Sequence, residues 1–177
     1  MAEATQRKIY LVRHAEPERA DVLLGRTNLP LSSGGRVQAS HRLRELSAEI
    51  IYSSPLRRAL ETAARIPLLR PFEVIEELAE ISYGTWDGRA WSDIEAREPD
   101  LARRKLEDWY GITPPGGETY EDFRERVTDA LSIILNGPLP AIVVAHAAVN
   151  AEIARQLTGE DPAAFRMNYC EVREIEL

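Results

Sequence analysis

The stretch Lys8-Ile9-Tyr10-Leu11-Val12-Arg13-His14-Ala15-Glu16 decides the fold class. Four of its first five residues are apolar or aromatic, and two of them, Ile9 and Val12, are β-branched. Such a run reads as a buried strand over about residues 8–13. It ends on a cation followed by an imidazole. Ligand sites in open α/β sheets lie just beyond the carboxyl ends of the strands, so Arg13-His14 stands where an anionic ligand would be met. Taken alone, the tetrapeptide from Arg13 to Glu16 is explained equally well as an ordinary charged strand end.

A second segment repeats the pattern. Ala141-Ile142-Val143-Val144-Ala145 is another buried-strand run, it ends on His146, and a helix-compatible segment follows from Ala147 to Leu157. Two of the three histidines thus share one kind of structural address. The third, His41, sits in a polar, Arg-rich helical stretch and reads as a surface residue.

Working outward, helix-compatible residues 34–46 would turn Val37, Leu43 and Leu46 inward. Residues 49–53 form a second strand. Ser54-Pro55 places a cap residue before a proline at the first helical position, which opens a helix to about Ile66. Residues 72–75 form a third strand. Residues 77–118 are irregular with helical pieces and read as a partial lid insertion. Its Trp86, Trp91, Trp109 and Tyr110 read first as local core. Thr119 caps a helix to about Leu135, with Phe123, Val127, Leu131 and Ile134 as its apolar stripe. Residues 168–175 form a late edge strand, and Cys170 reads as a small core residue. Residues 1–7 are polar and expected to be extended or disordered. Strands alternating with helices predict a three-layer α/β/α sandwich with a mainly parallel central sheet and one antiparallel edge strand. At 177 residues the chain reads as one domain over 1–177.

Composition narrows the function. The hydrophobic fraction is 44% and the charged fraction 29%, as in ordinary globular proteins. No run approaches the length needed to span a membrane, and no signal-like segment opens the chain. With a single cysteine, a disulfide framework is excluded and a reducing, cytoplasmic setting is expected. A net charge of −7 without a basic tail disfavours nucleic acid and anionic membranes as partners. Oligomeric state is not legible.

In a parallel sheet the four strand ends share one edge. They would gather Arg13, His14, an arginine from Arg57-Arg58, His146 and at least one carboxylate. That set suits phosphoryl transfer, whose catalysis is mostly positioning and charge stabilisation. An arginine fork donates two parallel hydrogen bonds to phosphate. A neutral imidazole can attack phosphorus and form a covalent intermediate. A carboxylic acid of raised pKa can protonate the leaving oxygen. By spacing alone Glu76, Glu77, Glu80, Asp87 or Glu118 could be that acid. The helix start after His146 offers amide donors. No metal site is expected, because neither His-Glu-x-x-His nor paired cysteines occur. Nucleotide-binding glycine loops and the Gly-x-Ser-x-Gly elbow are also missing.

These residues carry a resemblance. Leu11-Val12-Arg13-His14-Ala15-Glu16 resembles the Arg-His-Gly motif of the histidine phosphatase superfamily, which includes the cofactor-dependent phosphoglycerate mutases. Residues 25–32, 53–63 (Ser-Ser-Pro-Leu-Arg-Arg-Ala-Leu-Glu-Thr-Ala), 80–88 (Glu-Ile-Ser-Tyr-Gly-Thr-Trp-Asp-Gly), 115–119 and 143–146 resemble further motifs in the expected order. The resemblance implies a phosphoglycerate mutase-like fold and a metal-independent phosphomonoesterase of the small branch 1 type. It makes His14 the nucleophile and Glu80 the proton donor, and it has Arg13, Arg58 and His146 bind the phosphoryl group. Arg26 and Asn28 become candidate substrate contacts, no cofactor is called for, and the partner is a small phosphorylated substrate. Ala15 stands where the motif has glycine, Ala147-Ala148 replace a glycine pair, and Ala20 replaces an asparagine. The alternatives are a phosphoglycerate mutase, for which 177 residues leave little room for closing loops, and a non-catalytic phospho-ligand binder.

Overall fold

The computed structural model describes residues 7–67 and 71–177. The expectation for the amino terminus therefore lies almost wholly outside the described residues. Strand β1 is Lys8–Arg13, β2 Ile50–Ser53, β3 Phe72–Val74, β4 Ala141–Ala145 and β5 Val172–Glu176. They form one sheet in the order β3-β2-β4-β1-β5. The first four are mutually parallel, and β5 runs antiparallel along β1. Helices are α1 (Ser33–Arg42), α2 (Arg57–Ala63), α3 (Trp91–Arg97), α4 (Pro99–Glu107), α5 (Tyr120–Asn136) and α6 (Ala147–Thr158). Among the described residues, no helix is long and apolar enough to cross a membrane.

Strand alternation builds the layers. In β1, Ile9 and Leu11 face a core shared with Phe123, Val127 and Ile134 of α5 and with Val149 and Ile153 of α6. Val12 faces the opposite core, with Ala39 of α1 and Ala59 and Ala63 of α2. In β4, Ala141 and Val143 go one way, Ile142 and Val144 the other. The sandwich expected from the sequence is the observed architecture.

Four local expectations need correction. Val37 is 70% exposed, not inward. The buried face of α1 is set instead by Gly35 and Ala39, with Leu43 just beyond. Gly35 lies so close to the chain after β1 that a Cβ there would sit 2.2 Å from the Glu16 carbonyl oxygen. Steps of four residues keep Gly35, Ala39 and Leu43 on one side of the helix, and Val37 falls opposite. The helix also stops at Arg42, with Leu43 as its C-cap.

Helix α2 starts at Arg57 rather than at Pro55, because Leu56 stays extended. Its first amide is capped from elsewhere: the Asn28 Oδ1 accepts from the Arg57 N–H at 2.7 Å. Strand β5 begins at Val172, four residues later than expected. Cys170 is buried, yet it occupies a turn at φ 60°, and its N–H reaches the carbonyls of Arg13 at 3.0 Å and His14 at 3.2 Å. That turn closes the chain over the end of β1 before the antiparallel pairing begins.

Candidate active site

Register places the two histidines. Arg13 of β1 pairs with Ala145 of β4, so the next residues, His14 and His146, leave the sheet side by side. The His14 N–H donates to the Ala145 carbonyl at 3.0 Å. Their ring centroids lie 5.1 Å apart. One strand over, the Ser54 N–H donates to the Val144 carbonyl at 3.0 Å, which brings the start of α2 to the same edge.

His14 is 4% exposed. Its Nδ1 lies 2.8 Å from its neighbour's carbonyl, that of Ala15. A carbonyl only accepts, so Nδ1 carries the proton and Nε2 keeps its lone pair. Burial, and then the Arg58 charge, hold its pKa well below the ordinary histidine value, which keeps the ring neutral.

Arg58, 1% exposed, supplies the second centre. Its Nε lies 3.3 Å from the His14 Nε2, and its two Nη atoms each donate at 2.8 Å, to the carbonyls of Thr27 and Gly25. Arg57 instead points outward to Glu61 at 2.7 Å. Arg13 lies with its guanidinium 4.2 Å from the Tyr169 ring and donates to the Met167 carbonyl, while its Nε is buried without a partner. Tyr169 also approaches the His14 ring, with centroids 5.5 Å apart.

His146 is fully buried. Ser54 Oγ lies 2.7 Å from its Nε2 and also accepts from the Leu56 N–H. The other ring nitrogen, Nδ1, has no partner. Burial, Arg58 and His14 together lower the His146 pKa far below the usual value.

Glu80 is the carboxylate of the site. It is 8% exposed, and burial pushes its pKa up despite the nearby Arg58. Its Oε1 accepts from the Ile81 N–H at 3.0 Å and its Oε2 from the Ala148 N–H at 3.3 Å. The helix-start amide expected to meet phosphate is thus turned to Glu80. The other acids are engaged or remote. Glu118 pairs with Arg126 at 2.6 Å, Asp87 accepts from the N–H groups of Tyr83 and Arg26, and Glu76 is exposed.

A 150 Å³ cavity joins these groups, with Arg13, His14, Arg58, Glu80, Tyr83 and Tyr169 in its wall. His146 is not in that wall; it backs His14. Arg26 is exposed at the rim, 3.8 Å from Glu118, and Asn28 is held by the Arg57 amide. Ala15 and Ala147 fit because both have negative φ: among the described residues, Cys170 is the one non-glycine with positive φ. The Ala15 N–H donates to Thr62 Oγ1 at 2.9 Å, and that hydroxyl donates to the Arg58 carbonyl at 2.7 Å, tying the nucleophile's turn to α2.

Tyr169 and the carbonyls of Gly25 and Thr27 escaped sequence reasoning. Backbone groups leave no side-chain signature, and nothing around Tyr169 marks it. Ser54 and Thr62 lie inside a quoted motif and could have been read from it.

A family model described as the histidine phosphatase superfamily, branch 1, matches residues 9–177. The chain is 33% identical over 155 residues to a bifunctional protein of Mycobacterium tuberculosis, covering 82% of this chain and 42% of that one. It therefore spans about two-fifths of the length of the first curated relatives it matches. Phosphoserine phosphatase 1 of Hydrogenobacter thermophilus is 33% identical over 167 residues, covering 89% of this chain and 79% of that one. A crystal structure of a putative alpha-ribazole-5'-P phosphatase from Escherichia coli superposes with a TM-score of 0.85 at 26% identity, covering 97% of this chain and 90% of that one.

Proposed function

The chain belongs to the histidine phosphatase superfamily, branch 1, and on that premise we propose that it is a metal-independent phosphomonoesterase working through a phosphohistidine at His14. One observation carries the reading. A neutral His14 ring, its proton fixed on Nδ1 by the Ala15 carbonyl, offers a bare Nε2 beside Arg58.

The ester's phosphoryl group enters the 150 Å³ cavity. Arg58 turns from Nε2 to phosphoryl oxygens, while its anchors on Gly25 and Thr27 keep the fork in place. Arg13 adds charge, and His146, whose Nδ1 has no partner, packs behind His14. Nε2 attacks phosphorus, forming the N–P bond as the ester P–O bond breaks. Glu80 gives its proton to the departing alkoxide, then takes one from the water that cleaves the N–P bond. Inorganic phosphate leaves and His14 returns to its starting form. The substrate is a small phosphorylated metabolite, and the relatives named as phosphatases support the reaction class.

The test is hydrolysis of p-nitrophenyl phosphate with EDTA present. Turnover indifferent to EDTA and abolished in His14→Ala is expected. A requirement for added metal would overturn the mechanism, and bisphosphoglycerate-dependent isomerisation of phosphoglycerate outpacing hydrolysis would reassign the protein as a mutase.

A further inference from the structure

The two arginines of the site are held in different ways. Arg58 is fixed in the plane of its guanidinium, by the carbonyls of Gly25 and Thr27 at 2.8 Å each. Arg13 lies over the Tyr169 ring, its guanidinium carbon 4.2 Å from the ring centre. One of its nitrogens donates to the Met167 carbonyl, and its Nε is buried without a partner. Among the described residues, no carboxylate pairs with Arg13.

A turn of four residues delivers Tyr169 to that place. The Glu171 N–H donates to the Asn168 carbonyl at 3.1 Å, and the Glu171 carboxylate accepts from the Asn168 backbone N–H at 2.7 Å and its side-chain amide at 3.0 Å. The turn is fastened to the end of β1. The Arg13 N–H donates to the Glu171 carbonyl at 3.1 Å, and the Cys170 N–H reaches back to the carbonyls of Arg13 and His14. Cys170 takes φ 60°, where glycine is favoured, while its side chain is buried in the core that holds Val12 and Ala15. The buried side chain anchors the turn and so fixes where the Tyr169 side chain starts.

The half-buried Tyr169 ring then meets both strand-end residues. It covers Arg13, its centroid lies 5.5 Å from that of His14, and it lines the 150 Å³ cavity. A carboxylate in its place would neutralise Arg13 and compete with a phosphoryl group for the same N–H groups. A ring face attracts the cation without accepting from those in-plane donors, and it does so more strongly where water is excluded.

We propose that Tyr169 is a positioning residue of the phosphoryl site: its ring holds Arg13 at the cavity wall, beside His14, and leaves N–H donors for a phosphoryl oxygen. The inference rests on the phosphatase reading above, in which Arg13 meets the phosphoryl group.

The experiment measures the affinity for inorganic phosphate by calorimetry, with kcat/KM for p-nitrophenyl phosphate beside it. Tyr169→Phe keeps the ring and should stay within about threefold of the wild type in both. Tyr169→Leu should weaken phosphate binding and lower kcat/KM by about three- to thirtyfold, the range that a lost cation–π contact gives. Made in an Arg13→Gln background, Tyr169→Leu should change phosphate affinity little, because the cation that the ring holds is gone. Full phosphate affinity in Tyr169→Leu, or an equal loss in both backgrounds, would overturn the proposal. A second comparison stands even where Tyr169→Leu fails to fold. Replacing Tyr169 by 3,4,5-trifluorophenylalanine keeps the shape given by Tyr169→Phe but depletes the ring face of charge, and phosphate should bind more weakly to the fluorinated protein. Equal affinity of the two would reduce Tyr169 to packing and overturn the proposal. Absence of p-nitrophenyl phosphate turnover in the wild type would sink the phosphatase reading by itself, since phosphate affinity still decides the role of Tyr169.

Discussion

The Arg58 Nε lies 3.3 Å from the His14 Nε2, so the cation that would meet the phosphoryl group rests on the atom that would attack it. Together with burial, this contact keeps the imidazole unprotonated, and it aligns the Nε2 lone pair. Anchoring by the Gly25 and Thr27 carbonyls makes it a property of the guanidinium's fork, not of positive charge alone.

Arg58→Lys should therefore be nearly as damaging as Arg58→Ala. Both should lower kcat/KM for p-nitrophenyl phosphate by about 10²–10³-fold, the usual cost of losing one oriented donor to a transition-state charge. Near-normal activity in the lysine variant would show that charge alone suffices. Steady-state kinetics at neutral pH decide it.

Glu80→Gln should lower kcat/KM for alkyl phosphates by about 10²–10⁴-fold and for aryl esters much less, because kcat/KM reports the phosphorylation step, where only the poor leaving group needs the proton. In the wild type the alkaline limb of kcat/KM for an alkyl ester should lie above the ordinary carboxylate range, since burial raises the Glu80 pKa. The limb should vanish in Glu80→Gln. The acid limb, from His14, should lie well below the ordinary histidine value.

The same burial acts on stability. Glu80 has a folded pKa above its unfolded one, so between the two the native state holds a proton that the unfolded chain has lost. Stability attributable to this group is fully present below the unfolded pKa and declines as pH rises through the folded one. Glu80→Gln should therefore melt higher than the wild type at pH 8, and the gap should shrink at pH 4. Thermal melts at the two pH values measure it; a gap that widens at pH 4 would contradict the assignment.

Gly25 ties the loop after β1 to the site. Its φ is 42°, and an added Cβ would fall 1.8 Å from Asp87 Oδ1, while its carbonyl holds Arg58. Gly25→Ala should lower the melting temperature and raise the inhibition constant of inorganic phosphate together. Loss of stability with phosphate inhibition unchanged would separate the loop from the anion site.

Much of this arrangement is legible in the sequence because short range order decides it. The β-branched runs ending on His14 and His146 mark two strands of a parallel sheet, whose ends share one edge; their adjacency has no such signal. Val37 misleads because α1 turns its small residues inward to meet the Glu16 backbone, a long-range constraint that hydrophobicity does not encode. Ser54 looks like a helix cap, and its Oγ does accept from the Leu56 N–H, but the helix begins only at Arg57 and the same Oγ also meets His146. The wall built by Trp109 and Tyr83 has no periodic signal, since its aromatic residues meet across several short segments. Tyr169 reaches Arg13 from the far end of the chain, and nothing local announces it.

The most direct test of His14 as nucleophile uses Glu80→Gln, in which p-nitrophenyl phosphate can still phosphorylate the ring while the water step has lost its base. After mixing and an alkaline quench, which preserves phosphohistidine, intact-mass and peptide mapping should find close to one phosphoryl group per chain, on His14 and absent from the double variant with His14→Ala. A label on another residue, or steady p-nitrophenol release with no labelled chain and no initial burst, would contradict the covalent mechanism.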